Sequence, residues 1–398
     1  MIRVLLYLTI ALLPLAKAKG QPFFGKVHGE EMGFGQSLIS TILEDQQGFL
    51  WIGTYLGLFR FDGLQSVAFR PEKDNPNSMS SEFINQIYED KSRFLWIATR
   101  NGLTRIDPTR KVFTRYKHDS TDPNSIPNNR IFDIEPYSDS TLLLSCDRSG
   151  LCEFNKNTGK VRRLNPTYIT RGGDTLKEVW SLNVFTARQH TVFLQSSRGI
   201  LLYNAVNNTL VEVRDSISGY TQLTGKRNFF CSVDSTIWFA DQLGRLCKWI
   251  PYQSITFFGD STTRSQIKSG SLRIIDFNKQ YILVCTHHDS FLFDKETGVS
   301  QPFRLRDDQQ DVVTAQNFLT CMTTKSGIVV LGLRQGKLIT IDPLLQQFKF
   351  KKFMEPDPEL ILQISDIQDD VYYHTRYIGV FHDSIFFTED LRSGIIST

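Results

Sequence analysis

The sequence predicts an all-β fold, a β-propeller of four-stranded antiparallel blades, and three observations carry that expectation. The stretch FLWIGTYLGLFRFD (49–62) returns as FLWIATRNGLTRID (94–107), forty-five residues later. A hairpin glycine, or one substitute for it, recurs at spacings of 43 to 49 residues along the rest of the chain. Between these marks, apolar and polar residues alternate in short runs, with no sustained 3.6-residue stripe. Repeats of this length, each holding four short strands, describe propeller blades. The bulk composition agrees. A chain of 398 residues suits a repeat array, a 40% hydrophobic content can fill a large core, and 30 Phe with 13 Tyr favour strands.

Residues 1–18 come first and stand apart. Met1-Ile2-Arg3 is a short basic start, Val4 to Ala16 is an apolar run, and Ala16-Lys17-Ala18 fits a small-x-small cleavage site. That pattern reads as a secretory signal peptide, since the apolar run is shorter than the ~20 residues that span a bilayer. The expected location is the periplasm, with no membrane insertion of the mature chain. Six cysteines (146, 152, 231, 247, 285 and 321) would permit disulfides there, yet they share no spacing. Cys146 and Cys152 flank one predicted hairpin and are the pair to test. Buried free thiols are the favoured reading, because Cys packs as a small hydrophobe.

Eight repeat units follow. Their hairpin glycines are 57, 102, 150, 199, 244, 336 and 379, with Asp289 substituting in the sixth unit. Glycine there supplies a left-handed backbone at no steric cost, and Asp tolerates it better than most residues. Each unit opens on an alternating segment (ISTILED, INQIYED, IFDIEP), then a polar turn and a short apolar strand. After the hairpin comes a strand closing on Asp or Asn, then a fourth segment such as SVAFRP or VFTRYK. Trp51, Trp96 and Trp238 recur at one position and are expected to pack between blades. Residues 22–27 (PFFGKV) match the fourth segment, so they read as an outer strand that closes the ring. Residues 19–353 then form the propeller. Residues 354–398 are the eighth unit, either a closing blade or the start of a truncated second propeller.

Units one and two carry a more specific signature. Glu44-Asp45, Phe49-Leu50-Trp51-Ile52-Gly53-Thr54, Gly57-Leu58 and Asp62 are answered by Glu89-Asp90, Leu95-Trp96-Ile97 and Gly102-Leu103. This resembles the two-component regulator propeller repeat, found in the extracytoplasmic sensor half of hybrid histidine kinases of Bacteroidetes. The resemblance implies two seven-bladed propellers, a β-sandwich, a membrane helix, a kinase core, a receiver and a DNA-binding helix-turn-helix. This sequence shows no kinase histidine context, ATP lid, spanning stretch or basic helix, so sensing is the step expected of it. The family implies seven blades, whereas an exposed orphan hairpin argues for eight. Seven is favoured.

Chemistry is harder to find. The sequence has no HExxH, GxSxG, P-loop or dinucleotide fingerprint. His287-His288-Asp289 lacks tetrahedral ligand spacing, and adjacent residues on a strand point to opposite faces. No metal or other cofactor is expected, and the near-balanced charge of +3 gives no reason to expect nucleic acid. Glu44-Asp45 and Glu89-Asp90 recur together, which makes them turn residues rather than an acid and base. The hairpin tips carry Tyr55, Arg100, Arg148, Arg198, Gln242, His287, Arg334 and Arg376. Loops of one propeller face converge on the channel, so these tips read as a cationic rim for an acidic oligosaccharide. The expected function is a ligand-sensing, non-catalytic module for glycans or glycan fragments. The alternatives are a secreted lyase or glycosidase and a protein-binding scaffold of the envelope. A second propeller or a homodimer partner is a further expected contact.

Overall fold

The turn between the first two strands of blades 1 and 2 shows why the repeat is written as it is there. Asp45 is fully buried, and its Oδ1 accepts the amides of Gln47 and Phe49 at 2.9 and 3.0 Å. Its Oδ2 accepts the Trp51 indole N–H at 2.8 Å. Asp90 repeats the arrangement with Ser92, Phe94 and the Trp96 indole. A side chain that caps a turn while receiving the next strand's tryptophan locks the first two strands together. The third strand ends on a second device of the same kind. Asp62, Asp107, Asn155, Asn204 and Asp294 each accept amides two and three, or two and four, residues ahead. This is the reason those strands close on Asp or Asn.

In the computed structural model the described residues are 23–29, 32–35, 37–164 and, with gaps in the loops, 166–342. The strands at 349–351, 377–381, 384–388 and 396–397 complete them. The proposed signal peptide lies outside the described residues. Seven blades form the propeller. Blade 1 comprises Ile39–Glu44, Leu50–Thr54, Gly57–Phe61 and Ser66–Phe69. Blade 2 comprises Ile84–Glu89, Leu95–Thr99, Gly102–Ile106 and Phe113–Tyr116, and blade 3 Ile131–Pro136, Thr141–Cys146, Gly150–Asn155 and Val161–Arg163. Blades 4, 5 and 6 begin at Ser181–Ala187, Phe229–Cys231 and Arg273–Asp276. Blade 4 is widened by Thr167–Ile169, which pairs in parallel with its outer strand Thr209–Glu212.

Blade 7 takes Phe318–Thr323, Val329–Leu333 and Leu338–Ile341 from late in the chain, and its fourth strand, Lys26–His28, from the beginning. The pairing of Val27 with Ile339 closes the ring at seven. The first strands of blades 7, 1, 2, 3 and 4 adjoin in turn, as do those of blades 5, 6 and 7, so first strands surround the axis. Residues 341–398 form a separate compact unit, whose sheet is Lys349–Lys351, Tyr377–Phe381, Ser384–Thr388 and Ile396–Ser397. Here the expected eighth hairpin is corrected. Gly379 lies inside a strand, paired with both Phe350 and Phe386.

Blades stack through close contacts between unlike positions. Trp51 packs with Leu58 of blade 1 and with Ile84, Leu95 and Ile97 of blade 2. Trp96 spans blades 2 and 3, and Trp238 spans blades 5 and 6. All three are at most 1% exposed. Gly53 admits the next blade's first strand: a Cβ there would lie 2.7 Å from Ile84 Cγ2. Cross-blade hydrogen bonds complete the seam. Ser40 Oγ donates to the Ile84 carbonyl at 2.7 Å, and Asn85 Nδ2 to that of Ile131 at 2.6 Å.

Cys146 and Cys152 are buried free thiols, their Sγ atoms 3.9 Å apart. Cys146 pairs with Gly150 and Cys152 with Leu144, so the two lie diagonally across the hairpin. Diagonal Cα atoms stand roughly 7–8 Å apart, at or beyond the reach of a disulfide.

Candidate functional site

Alternating strand direction sends the second-to-third hairpins of every blade to one face of the ring. The residue leading into each first strand lies on the same face, beside the channel. One backbone bond marks the corner where they meet. Tyr55 N–H donates to the Leu38 carbonyl, Arg100 to Phe83, and Asp147 to Arg130, at 3.2, 3.1 and 2.8 Å. These pairs are equivalent positions in blades 1, 2 and 3.

At the corner between blades 1 and 2, Arg100 folds over two aromatic rings. Its guanidinium carbon lies 4.6 Å from the Tyr55 ring centroid and 4.8 Å from that of Phe83. The two rings meet edge to face at 5.6 Å. Arg100 Nε is buried and has no hydrogen-bond partner. Phe83 and Leu56 remain 39% and 43% exposed, so the platform has an open apolar margin. A guanidinium held between ring faces gains cation–π attraction and loses rotamer freedom.

The next corner is built differently. Arg130 lies 5.1 Å over the Phe132 ring and pairs with Asp147 at 3.4 Å. The cation has moved from the hairpin tip to the residue before the first strand, and the tip carries its counter-ion. Phe132 occupies the β-bulge of blade 3's first strand, which Ser40 and Asn85 occupy in blades 1 and 2. A bulge re-aims a side chain out of the regular alternation.

The tips of the expected rim are therefore not one register. Strand pairing leaves two tip residues in blades 1 and 2 and three in blade 3. Arg100 is the first tip residue of its blade, like Tyr55. Arg148 is the second of three, with a left-handed φ of 55°, and Asp147 holds the place equivalent to Arg100. Equal spacing from a glycine hid this, because the glycine's own position shifts with turn length. Arg334 directly follows the second strand of blade 7 and is exposed, as Arg148 is. Arg198, Gln242, His287 and Arg376 lie outside the described residues. Phe83, Arg130, Phe132 and Asp147 were not singled out from the sequence. Phe83 and Arg130 each stand seventeen residues before the tip they bond, a constant offset that would have flagged them.

The opposite face holds a second charged cluster. Arg110 donates to Asp45 at 3.2 Å and to Glu89 at 2.9 Å, all three nearly buried, and lies 5.4 Å over the Trp51 ring. Glu89 also accepts the Gln46 amide, and Glu44 accepts that of Lys325 from blade 7. The recurrent Glu thus latches each turn to the neighbouring blade. Asp45 and Glu89 accept at both carboxylate oxygens.

The two component regulator propeller family matches residues 33–56 and 78–101, so the repeat in the first two blades is that of this family. No curated protein matches the sequence. Among solved structures, the chain is similar to the extracellular domain of a putative hybrid two component system from B. thetaiotaomicron. Identity is 16% and TM-score 0.61, covering 94% of this chain and 49% of that one. It is also similar to the extracellular domain of a putative one component system from that organism, at 19% identity and TM-score 0.59, covering 80% and 42%. The chain spans less than half the length of either. A catalytically inactive virginiamycin B lyase from Staphylococcus aureus shares 10% identity at TM-score 0.57, covering 79% of this chain and 98% of that one. Extracellular domains of putative signalling systems and a lyase share the fold at such distances, so the fold alone does not set the function.

Proposed function

We propose, for a propeller whose first two blades carry two component regulator repeats, that the chain is the ligand-sensing input of an extracytoplasmic signalling system. It works in the periplasm behind a cleaved signal peptide and recognises glycans or glycan fragments without transforming them. The observation that supports this most is the corner at the channel mouth. There a fixed guanidinium and exposed apolar surface stand together, the pairing of polar and apolar groups that sugar recognition needs. The carboxylates that could have served as acid and base are instead tied up on the other face with Arg110 and backbone amides.

The similarity to extracellular domains of putative two component and one component systems supports the sensing role. The test is a glycan array probed with the purified chain, followed by calorimetric titration of the hits. Saturable binding to one structural class of oligosaccharide is expected. Silence across the array, with the chain correctly folded, would leave an envelope scaffold as the better account.

A further inference from the structure

We infer that the corner between blades 1 and 2 is a subsite for one anionic sugar residue, with Arg100 as its fork and Phe83 as the residue that positions it. This rests on the glycan reading above and narrows it. A ring of arginines would suit a polyanion, but the geometry offers one preorganised cation instead. The group recognised is a single oxyanion on a sugar, a uronate carboxylate or a sulfate ester.

Three observations converge on it. Three arginines of the described residues pair with carboxylates: Arg110 with Asp45 and Glu89, Arg130 with Asp147, and Arg162 with Glu153. Arg100, in contrast, meets no carboxylate among the described residues and is held by rings alone. Second, burial singles out Nε, which is covered and without an acceptor, while the two Nη groups are not among the buried unpartnered atoms. The fork is left to be engaged end-on through its Nη groups, the arrangement in which two parallel N–H donors meet two oxygens. Third, Leu56 and Phe83 are exposed beside it. Their apolar surface can cover the C–H face of a pyranose while the oxyanion sits on Arg100. Stacking fixes the guanidinium before the ligand arrives, so less entropy is lost on binding.

The experiment is calorimetric titration of the full chain with four probes: digalacturonate, its methyl ester, galactobiose and a monosulfated galactobiose. Wild type should bind an acidic probe and hold the ester and the neutral disaccharide at least about ten-fold more weakly. Arg100→Lys keeps the charge and loses the fork, so the acidic probe should weaken roughly ten- to a hundred-fold while the ester is unaffected. Phe83→Leu frees the guanidinium and should cost the acidic probe a few-fold. Phe83→Tyr should restore it, which a merely structural role would not require. Preference for uronate or for sulfate names the group. Equal binding of acid, ester and neutral probe overturns the subsite, and so does an Arg100→Lys protein that binds the acid like wild type. In either case glycan sensing stands if the array hit still binds. No binding by any probe or array glycan overturns both readings together.

Discussion

Arg110 carries more of the fold than any residue singled out as a candidate ligand contact. It brings Asp45 of blade 1 and Glu89 of blade 2 to one guanidinium, in a setting where all three side chains are 6% exposed or less. Removing one member of such a group strands the others as uncompensated buried charge. Arg110→Ala should therefore cost about 3–5 kcal/mol, read as a lower midpoint in urea, whereas Arg334→Ala on the exposed rim should stay within about 0.5 kcal/mol of wild type. A pH prediction belongs at this scale too. Burial pushes the Asp107 carboxyl up, but the Thr109 hydroxyl and the amides of Val112, Lys111 and Thr109 outweigh it and hold the pKa at about 2. The folded value lies below the ordinary carboxylate range. The stability it lends is thus complete above about pH 4 and lost as pH falls toward 2. Asp107→Asn should flatten that part of the acid limb of a melting-temperature profile. Asp107 was visible in the sequence as the residue closing a third strand. Arg110, three residues on, was not, since nothing local says that a turn arginine will reach another blade.

The blade is where sequence and structure agree best, and the reason is short-range. Asp45 bonds Trp51, and Gly57 pairs with Thr54, within one four-stranded unit, so their spacing survives in the linear text. Trp51 and Trp96 each fill an interblade gap and donate an indole N–H to a buried Asp. Trp51→Phe keeps most of the packing but leaves Asp45 short of a donor, so it should cost about 1–3 kcal/mol. Trp51→Ala adds a cavity and should cost about 3–5 kcal/mol. Equal melting midpoints for the two variants would contradict the role given to the indole. Where the element-level reading failed, turn length was responsible. Arg100 and Arg148 both precede their glycine by two residues, yet a two-residue tip presents one and a three-residue tip presents Asp147 instead. Gly379 failed similarly, because the last unit has lost the Asp and Trp marks that fixed the alignment in blades 1 and 2.

At the scale of the whole molecule, ring closure by Lys26–His28 onto Leu338–Thr340 joins residues more than three hundred positions apart. PFFGKV matches the outer-strand segment of its neighbours, but only its end closes the ring, because Phe23–Phe24 pairs instead with Leu305–Arg306. The candidate site was only half readable. Tyr55 and Arg100 stand on different blades and meet only once the ring is built, while Phe132 depends on a bulge that alternation does not reveal. In the proposed function, ligand meets the hairpin face at the corner of blades 1 to 3. Hydrogen–deuterium exchange of the purified chain, with and without a glycan hit from the array, tests this most directly. Added protection is predicted at 54–57, 99–102 and 130–132, with 45–49 and 107–112 on the opposite face unchanged. Protection confined to 45–49 and 107–112 would put the ligand on the wrong face and contradict the account.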